Sequence, residues 1–236
     1  MLHGPACGAV DVRFSIPSIC AEELEAGLVD IGLVPVAEIA RQGFEIVPGV
    51  GIAARGAVRS ILLFSRVPWK QIRTMAADHG SRTSVQLARV ILRERFAAEP
   101  DIVPCAPDLE QMLEHADAAL IIGDPALRLN PAESRYQCLD LAEEWYTLTR
   151  LPFVFAAWAG KPGLPLQHLS ELTTGSYRFG MQCIDEIVRT EAPRRNISEE
   201  LAGRYLRHHL WYELGRSELE GLEEFLKLAG LGMVGV

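Results

Sequence analysis

Apolar positions along this chain come in two kinds of run. Residues 29–36, 59–65, 72–77, 101–105, 118–122 and 152–157 are short, nearly continuous apolar blocks bounded by Gly, Pro, Asp or Ser, the pattern of buried strands. Between them the spacing lengthens. Residues 18–26 predict a short helix that starts at Pro17-Ser18 and stops at Gly27. Val85, Ala88, Ile91, Leu92 and Phe96 recur at helical spacing after Asp78, and 109–115 predict another short helix. Beyond Pro162 the chain is expected to be helical almost to its end. Asn196 is the expected N-cap there, with Glu199 three residues on, and a capping box follows at Ser217-x-x-Glu220. The tail's stripe of Leu219, Leu222, Phe225 and Leu226 is given a packing role. Strands alternating with helices predict an α/β fold with mainly parallel sheet.

Two stretches resemble each other: Val29-Asp30-Ile31-Gly32-Leu33-Val34-Pro35, and Ala116-Asp117-Ala118-Ala119-Leu120-Ile121-Ile122-Gly123-Asp124-Pro125. Each runs from an Asp through a buried strand to a Pro-bearing turn, so they read as equivalent strands of two similar lobes. The expected division is residues 1–68 as the first part of an outer lobe, 69–152 as a middle lobe, and 153–236 as the second part of the outer lobe with the C-terminal helices. Segments 59–68 and 151–160 are the expected crossings. In open α/β sheets ligands bind beyond the carboxyl ends of strands, so both turns are expected to face a shared cleft.

Composition narrows the partners. A net charge of −8 in 236 residues argues against a nucleic-acid or anionic-membrane surface, while leaving room for a small anion held by a few aimed donors. The five cysteines, Cys7, Cys20, Cys105, Cys138 and Cys183, are scattered without a C-x-x-C pair, which suits reduced core thiols. The first residues carry neither a basic nor an apolar segment of the secretory type, and the apolar run 151–160 is too short to span a bilayer, so a cytoplasmic location is expected.

The stretch with most chemical promise is Asp78-His79-Gly80-Ser81-Arg82-Thr83-Ser84, between a strand and a helix. The free N–H groups of a helix N-terminus favour an anion. Ser81, Thr83 and Ser84 add hydroxyls there, and Arg82 adds a charge. The plainer alternative is N-capping by Thr83 or Ser84, with Arg82 solvated or paired with Asp78. Ser60 opens a crossing strand, where its hydroxyl either points into the cleft or satisfies nearby backbone. Gly123 and Asp124 end the matching strand, Asp124 either reaching a ligand or capping the next turn. His79 is the one histidine beside these residues, and His208-His209 point to different faces of a helix. Glu143-Glu144 read as surface carboxylates. No H-E-x-x-H, G-x-S-x-G or G-x-G-x-x-G motif occurs, and no metal or cofactor is expected.

The series Pro17-Ser18-x-x-Ala21-x-x-Leu24-x-x-Gly27-x-x-Asp30-x-Gly32-Leu33-x-Pro35 resembles the chorismate dehydratase family of menaquinone biosynthesis. So do Gly51-Ile52, Gly56-x-Val58-x-Ser60, Ser81-Arg82-Thr83-Ser84, Ile122-Gly123-Asp124, Leu139-Asp140-Leu141, Glu144-Trp145 and Leu151-Pro152-Phe153-Val154-Phe155-Ala156-x-Trp158. The resemblance covers about residues 11–160. It implies a two-lobed fold like the type II periplasmic binding proteins, used as an enzyme that removes water from chorismate on the futalosine route, with no cofactor. Ser60, Ser81, Arg82, Thr83, Ser84, Gly123 and Asp124 are the implied substrate-binding residues. Family members begin with a strand and a Tyr-Leu-Asn stretch that this chain lacks, so either the start lies upstream or a first strand and part of the site are missing. Two other expectations stay open: a 1,4-dihydroxy-6-naphthoate synthase-like enzyme of the same pathway, which would use a histidine base, and a protein that only captures an organic anion.

Overall fold

Nine strands form two sheets in the computed structural model, which describes residues 8, 10–78, 80, 82–232 and 234. The first sheet has the order β1-β8-β2-β9, from Ile31–Pro35, Phe153–Gly160, Glu45–Ala54 and Trp211–Leu214. The second has the order β5-β4-β6-β3-β7, from Asp101–Pro104, Thr74–Ala77, Ala118–Ile122, Ile61–Ser65 and Gln137–Asp140. The chain therefore passes from the first sheet to the second between Ala54 and Ile61, and returns between Asp140 and Phe153.

Apolar blocks are continuous in the second sheet because both of its faces are covered. Leu63 on β3, Met75 and Ala77 on β4, and Ala118 and Leu120 on β6 join a core shared with the first sheet. Their chain neighbours Leu62, Phe64, Ala76, Ala119 and Ile121 fill a second cluster on the opposite face. A period of two on a doubly covered sheet leaves no polar position in the strand. Helices α3 (Arg82–Phe96) and α6 (Leu141–Thr149) supply Leu87, Ile91 and Trp145 to the shared core. Helices α4 (Leu109–His115) and α5 (Gly123–Arg128) supply Met112, Leu113 and Ala126 to the other.

Helix α1 (Pro17–Glu25) packs beside β1, while α2 (Val36–Gln42) follows β1 directly and contacts α3. Helix α7 (Leu166–Gln182) lies on β2. Helices α8 (Ile184–Arg194) and α9 (Glu199–Arg204) lead into a five-residue π-helical turn, Tyr205–His209. After β9, α10 (Arg216–Leu228) buries Leu222, Phe225 and Leu226, and Phe225 stacks edge-on against Phe153 and Trp145.

Four expectations need correction. Both sheets contain antiparallel pairs: β3 and β8, which follow the two sheet-to-sheet passages, run against their neighbours, and β9 runs against β2. Strand β8 runs antiparallel to β1 and β2, and β3 to β6 and β7, whereas β4 is parallel to β5 and β6. The tail is interrupted by β9, four residues paired with β2 alone and too short for periodicity to reveal. The cap of α9 is Ser198, whose Oγ accepts from the Leu201 N–H, and Asn196 instead takes a left-handed φ of 53°. Helix α10 starts two residues earlier than Ser217 implies: Glu218 accepts from the N–H of the cap residue Gly215 at 3.1 Å.

Candidate active site

Three adjacent strands bring the sequence candidates to one end of the second sheet. Ile61 on β3 faces Ile122 on β6, and Ala77 on β4 pairs with Leu120. Ser60, Gly123 and the turn leading into α3 therefore lie at the same level on strands in the order β3-β6-β4. With neighbouring strands about 4.8 Å apart, the ends of β3 and β4 at this level are roughly 10 Å from one another. The first sheet meets them from the other side. The Ala37 N–H, in the first turn of α2 beyond the carboxyl end of β1, donates to Thr83 Oγ1 at 3.2 Å. The carboxyl ends of β1, β4 and β6 thus converge, where ligands of α/β sheets are expected.

Thr83 and Ser84 are 5% and 6% exposed in the first turn of α3. Accepting from Ala37 leaves the Thr83 hydroxyl proton to donate. Among the described residues Ser84 makes no side-chain hydrogen bond, so its hydroxyl is available. The first N–H groups of α3 lack partners within the helix and carry the positive end of its dipole. Arg82 does not point its charge into this space. Its Nη1 bonds Glu38 at 2.7 Å and its Nη2 reaches Glu22 at 3.4 Å, while Arg41 holds the other Glu38 oxygen at 3.2 Å. Glu38 is 2% exposed, so a carboxylate that could not be buried alone is held between two guanidinium groups. The alternative pairing of Arg82 with Asp78 gives way to these two glutamates, and Asp78 accepts from the Gly80 N–H at 3.4 Å instead. A cavity of about 200 Å³ beside this turn is lined by Arg41, Asp78, Arg82 and Gln86 among others.

At the β3 end, Gly123 N–H donates to the Ser60 carbonyl at 2.8 Å, tying the two candidate positions directly. Gly123 has φ 65°, a left-handed turn between β6 and α5 that a side chain would strain. The Ser60 hydroxyl, 5% exposed overall, accepts from the Tyr205 hydroxyl at 3.1 Å. Asp124, in the first turn of α5, neither caps that turn nor stands free: it pairs with Arg195 at 3.0 Å.

The segment before Ser60 is held by Asp140. One carboxylate oxygen accepts from the Val58 and Arg59 N–H groups at 2.9 and 2.6 Å, and the other caps α6 through Ala142 and Glu143 at 3.1 and 3.3 Å. Arg59 sits at φ 68°, a conformation costing of order 1 kcal/mol or more in a non-glycine residue, and these bonds hold it there. Burial pushes the Asp140 carboxyl above its ordinary range, against the four N–H groups that favour its charged form.

The structure brings together Ser60 and Gly123 on one side and Thr83 and Ser84 on the other. It engages Arg82 and Asp124 in ion pairs. Ser81 and His79 lie outside the described residues. Tyr205, Glu38 and Asp140 were missed as parts of this region. Asp140 carried a readable signal, an Asp between a strand and a helix, but only for its capping role. Among the described residues no His, Cys, Asp and Glu group of three or more is arranged to hold a metal ion, and no helix is long and apolar enough to cross a membrane. The four described cysteines are free thiols.

Residues 2–230 match a protein family described as menaquinone biosynthesis. A chorismate dehydratase from Thermus thermophilus is 29% identical over 205 residues, 79% of this chain and 73% of the relative. A chorismate dehydratase from Campylobacter jejuni is 24% identical over 221 residues, 92% and 83% of the two chains. Among solved structures, a protein from Archaeoglobus fulgidus superposes with a TM-score of 0.69 at 18% identity, covering 93% of this chain and 86% of its own. The periplasmic aliphatic sulphonate binding protein from Escherichia coli superposes with a TM-score of 0.56 at 13% identity, covering 89% and 74%. The last two show a shared periplasmic-binding-protein-like fold.

Proposed function

The chain belongs to the menaquinone biosynthesis family, and we propose from that premise that it is a chorismate dehydratase, a hydro-lyase converting chorismate to 3-[(1-carboxyvinyl)oxy]benzoate and water. The reading is carried by the convergence of Ser60, Thr83 and Ser84 at the carboxyl ends of β1, β4 and β6, in a chain whose curated relatives are chorismate dehydratases.

The chemistry suits a site of donors. Chorismate carries two carboxylates, which need N–H and O–H groups rather than a base. In the elimination a ring C–H bond next to the hydroxyl-bearing carbon breaks, its electron pair becomes a ring double bond, and the hydroxyl leaves. The departing proton and hydroxyl together make water. The ring becomes aromatic, so the driving force resides in the substrate, and the protein's task is to fix geometry and exclude solvent. Thr83, Ser84 and the start of α3 hold one carboxylate, while Ser60 and the Gly123–Asp124 turn complete the other side. The substrate's own enolpyruvyl carboxylate, held against the ring, takes that proton and hands it to the departing hydroxyl, which leaves as water. Glu38 and Asp140 are excluded as bases by their existing bonds to arginines and backbone amides.

Incubating the purified chain with chorismate tests the reading. The expected result is loss of chorismate absorbance with stoichiometric appearance of the benzoate product by mass spectrometry. Binding without turnover would replace the enzyme by an organic-anion-binding protein, and inertness toward chorismate would end the proposal.

A further inference from the structure

The C-terminal tail, expected from the sequence only to pack, reaches into the site. We infer that Tyr205 is a positioning residue that sets the Ser60 hydroxyl as a directed donor to the substrate; this rests on the chorismate dehydratase reading. A serine hydroxyl has one proton to donate and two lone pairs to accept with, and it rotates to suit its surroundings. The Tyr205 hydroxyl donates to Ser60 Oγ at 3.1 Å, which occupies one lone pair and leaves the Ser60 proton to point away from the tyrosine. A hydroxyl that accepts a hydrogen bond also donates a stronger one. Ser60, buried at the end of β3 and level with Gly123, thus has its acceptor side filled by the protein and its donor side left for a ligand oxygen.

The tyrosine is itself held rigidly. It opens the π-helical turn Tyr205–His209, closed by Leu210 N–H to the Tyr205 carbonyl at 3.1 Å. Such turns recur at functional sites. His209, at the other end of the turn, places Nδ1 3.0 Å from the Ala57 carbonyl. One turn therefore grips both ends of the short segment that joins the two sheets, from Ala57 to Ser60, while Asp140 holds the Val58 and Arg59 amides between them. Burial raises the Tyr205 pKa and the nearby Asp124 charge adds to it, so the phenol stays protonated as the donor at neutral pH.

A double-mutant cycle on chorismate turnover tests this, with Tyr205→Phe, Ser60→Ala, the double variant, and Tyr212→Phe as a control. Tyr212 donates to the Leu206 carbonyl at 3.1 Å, so its hydroxyl braces the same turn without touching Ser60. The expectation is that Tyr205→Phe raises KM about three- to tenfold at little change in melting temperature, the worth of one hydrogen bond. In the Ser60→Ala background the same change does nothing further, whereas independent roles would multiply. Additive losses, an equal loss in Tyr212→Phe, or failure of Tyr205→Phe to fold would assign the hydroxyl to the fold and overturn the inference. Turnover by the unchanged chain with Tyr205→Phe indistinguishable from it would overturn the inference alone. An unchanged chain that does not turn over chorismate would remove the parent reading as well.

Discussion

Side chains that look alike in the Ser81–Ser84 stretch have different roles, and the difference is a matter of who already holds them. Arg82 is committed to Glu38 and Glu22, so its charge is balanced before a ligand arrives. Ser84 is a buried residue whose hydroxyl makes no side-chain hydrogen bond among the described residues, and Thr83 has a proton to spare after accepting from Ala37. Kinetics and stability should therefore separate. Ser84→Ala is expected to raise the chorismate KM by about tenfold, the worth of a hydrogen bond to a charged group, with a small change in melting temperature. Arg82→Ala should do the reverse. It leaves Glu38 buried with Arg41 as its one arginine partner, destabilising the fold by about 1–3 kcal/mol while KM moves less than in Ser84→Ala. Steady-state kinetics beside thermal melts read both. A KM increase in Arg82→Ala larger than that in Ser84→Ala would return the arginine to the ligand. None of this partnering was visible in sequence, because Glu38 is 44 positions from Arg82 and reads as an ordinary polar residue in a short helix.

Elements with their own periodicity were legible, and those defined by a partner were not. The helix Leu109–His115 and the strand Ala118–Ile122 match the expected limits, since a capping Asp108 and a doubly buried apolar block announce themselves locally. Strand β9 and helix α2 needed β2, β8 and α3 to exist, and no local pattern marked them. At the end of the second sheet away from the candidate site, Asp117 ties β4 to β6 by accepting from the Arg73 and Thr74 N–H groups at 3.0 and 3.2 Å and from the Thr74 hydroxyl at 3.3 Å. Burial alone would raise its pKa, but those donors and Arg66 outweigh it and leave the carboxyl below its ordinary value. A depressed folded pKa contributes stability that is present above the unfolded value of about 3.9 and is lost as pH falls through the folded one. Asp117→Asn should accordingly be less stable than the parent at neutral pH, with the gap closing at still lower pH than an ordinary carboxylate titrates. Melts from pH 7 to pH 2 measure this. A gap that widens on acidification would contradict the assignment.

At the scale of the whole molecule, the α/β class could be read from alternating blocks, because burial on both faces writes itself into composition, while the two-lobed fold came from two similar stretches and the family resemblance. The direction of the strands could not, since it depends on which ones follow a passage between sheets. Likewise the sequence marked the hydroxyl-rich turn and Ser60 as separate candidates, but only the register of β4, β6 and β3 places them along one edge. Both Ser60 and Thr83 are about 5% exposed and two passages join the sheets, so a hinge motion about those passages is the expected route of substrate entry. The crystal structure of the chain with 3-[(1-carboxyvinyl)oxy]benzoate is the most direct test of that arrangement. The product is expected between the two sheets, one carboxylate within hydrogen-bond distance of Thr83 and Ser84 and another oxygen on Ser60. Product seated elsewhere, with those three hydroxyls untouched, would contradict the account.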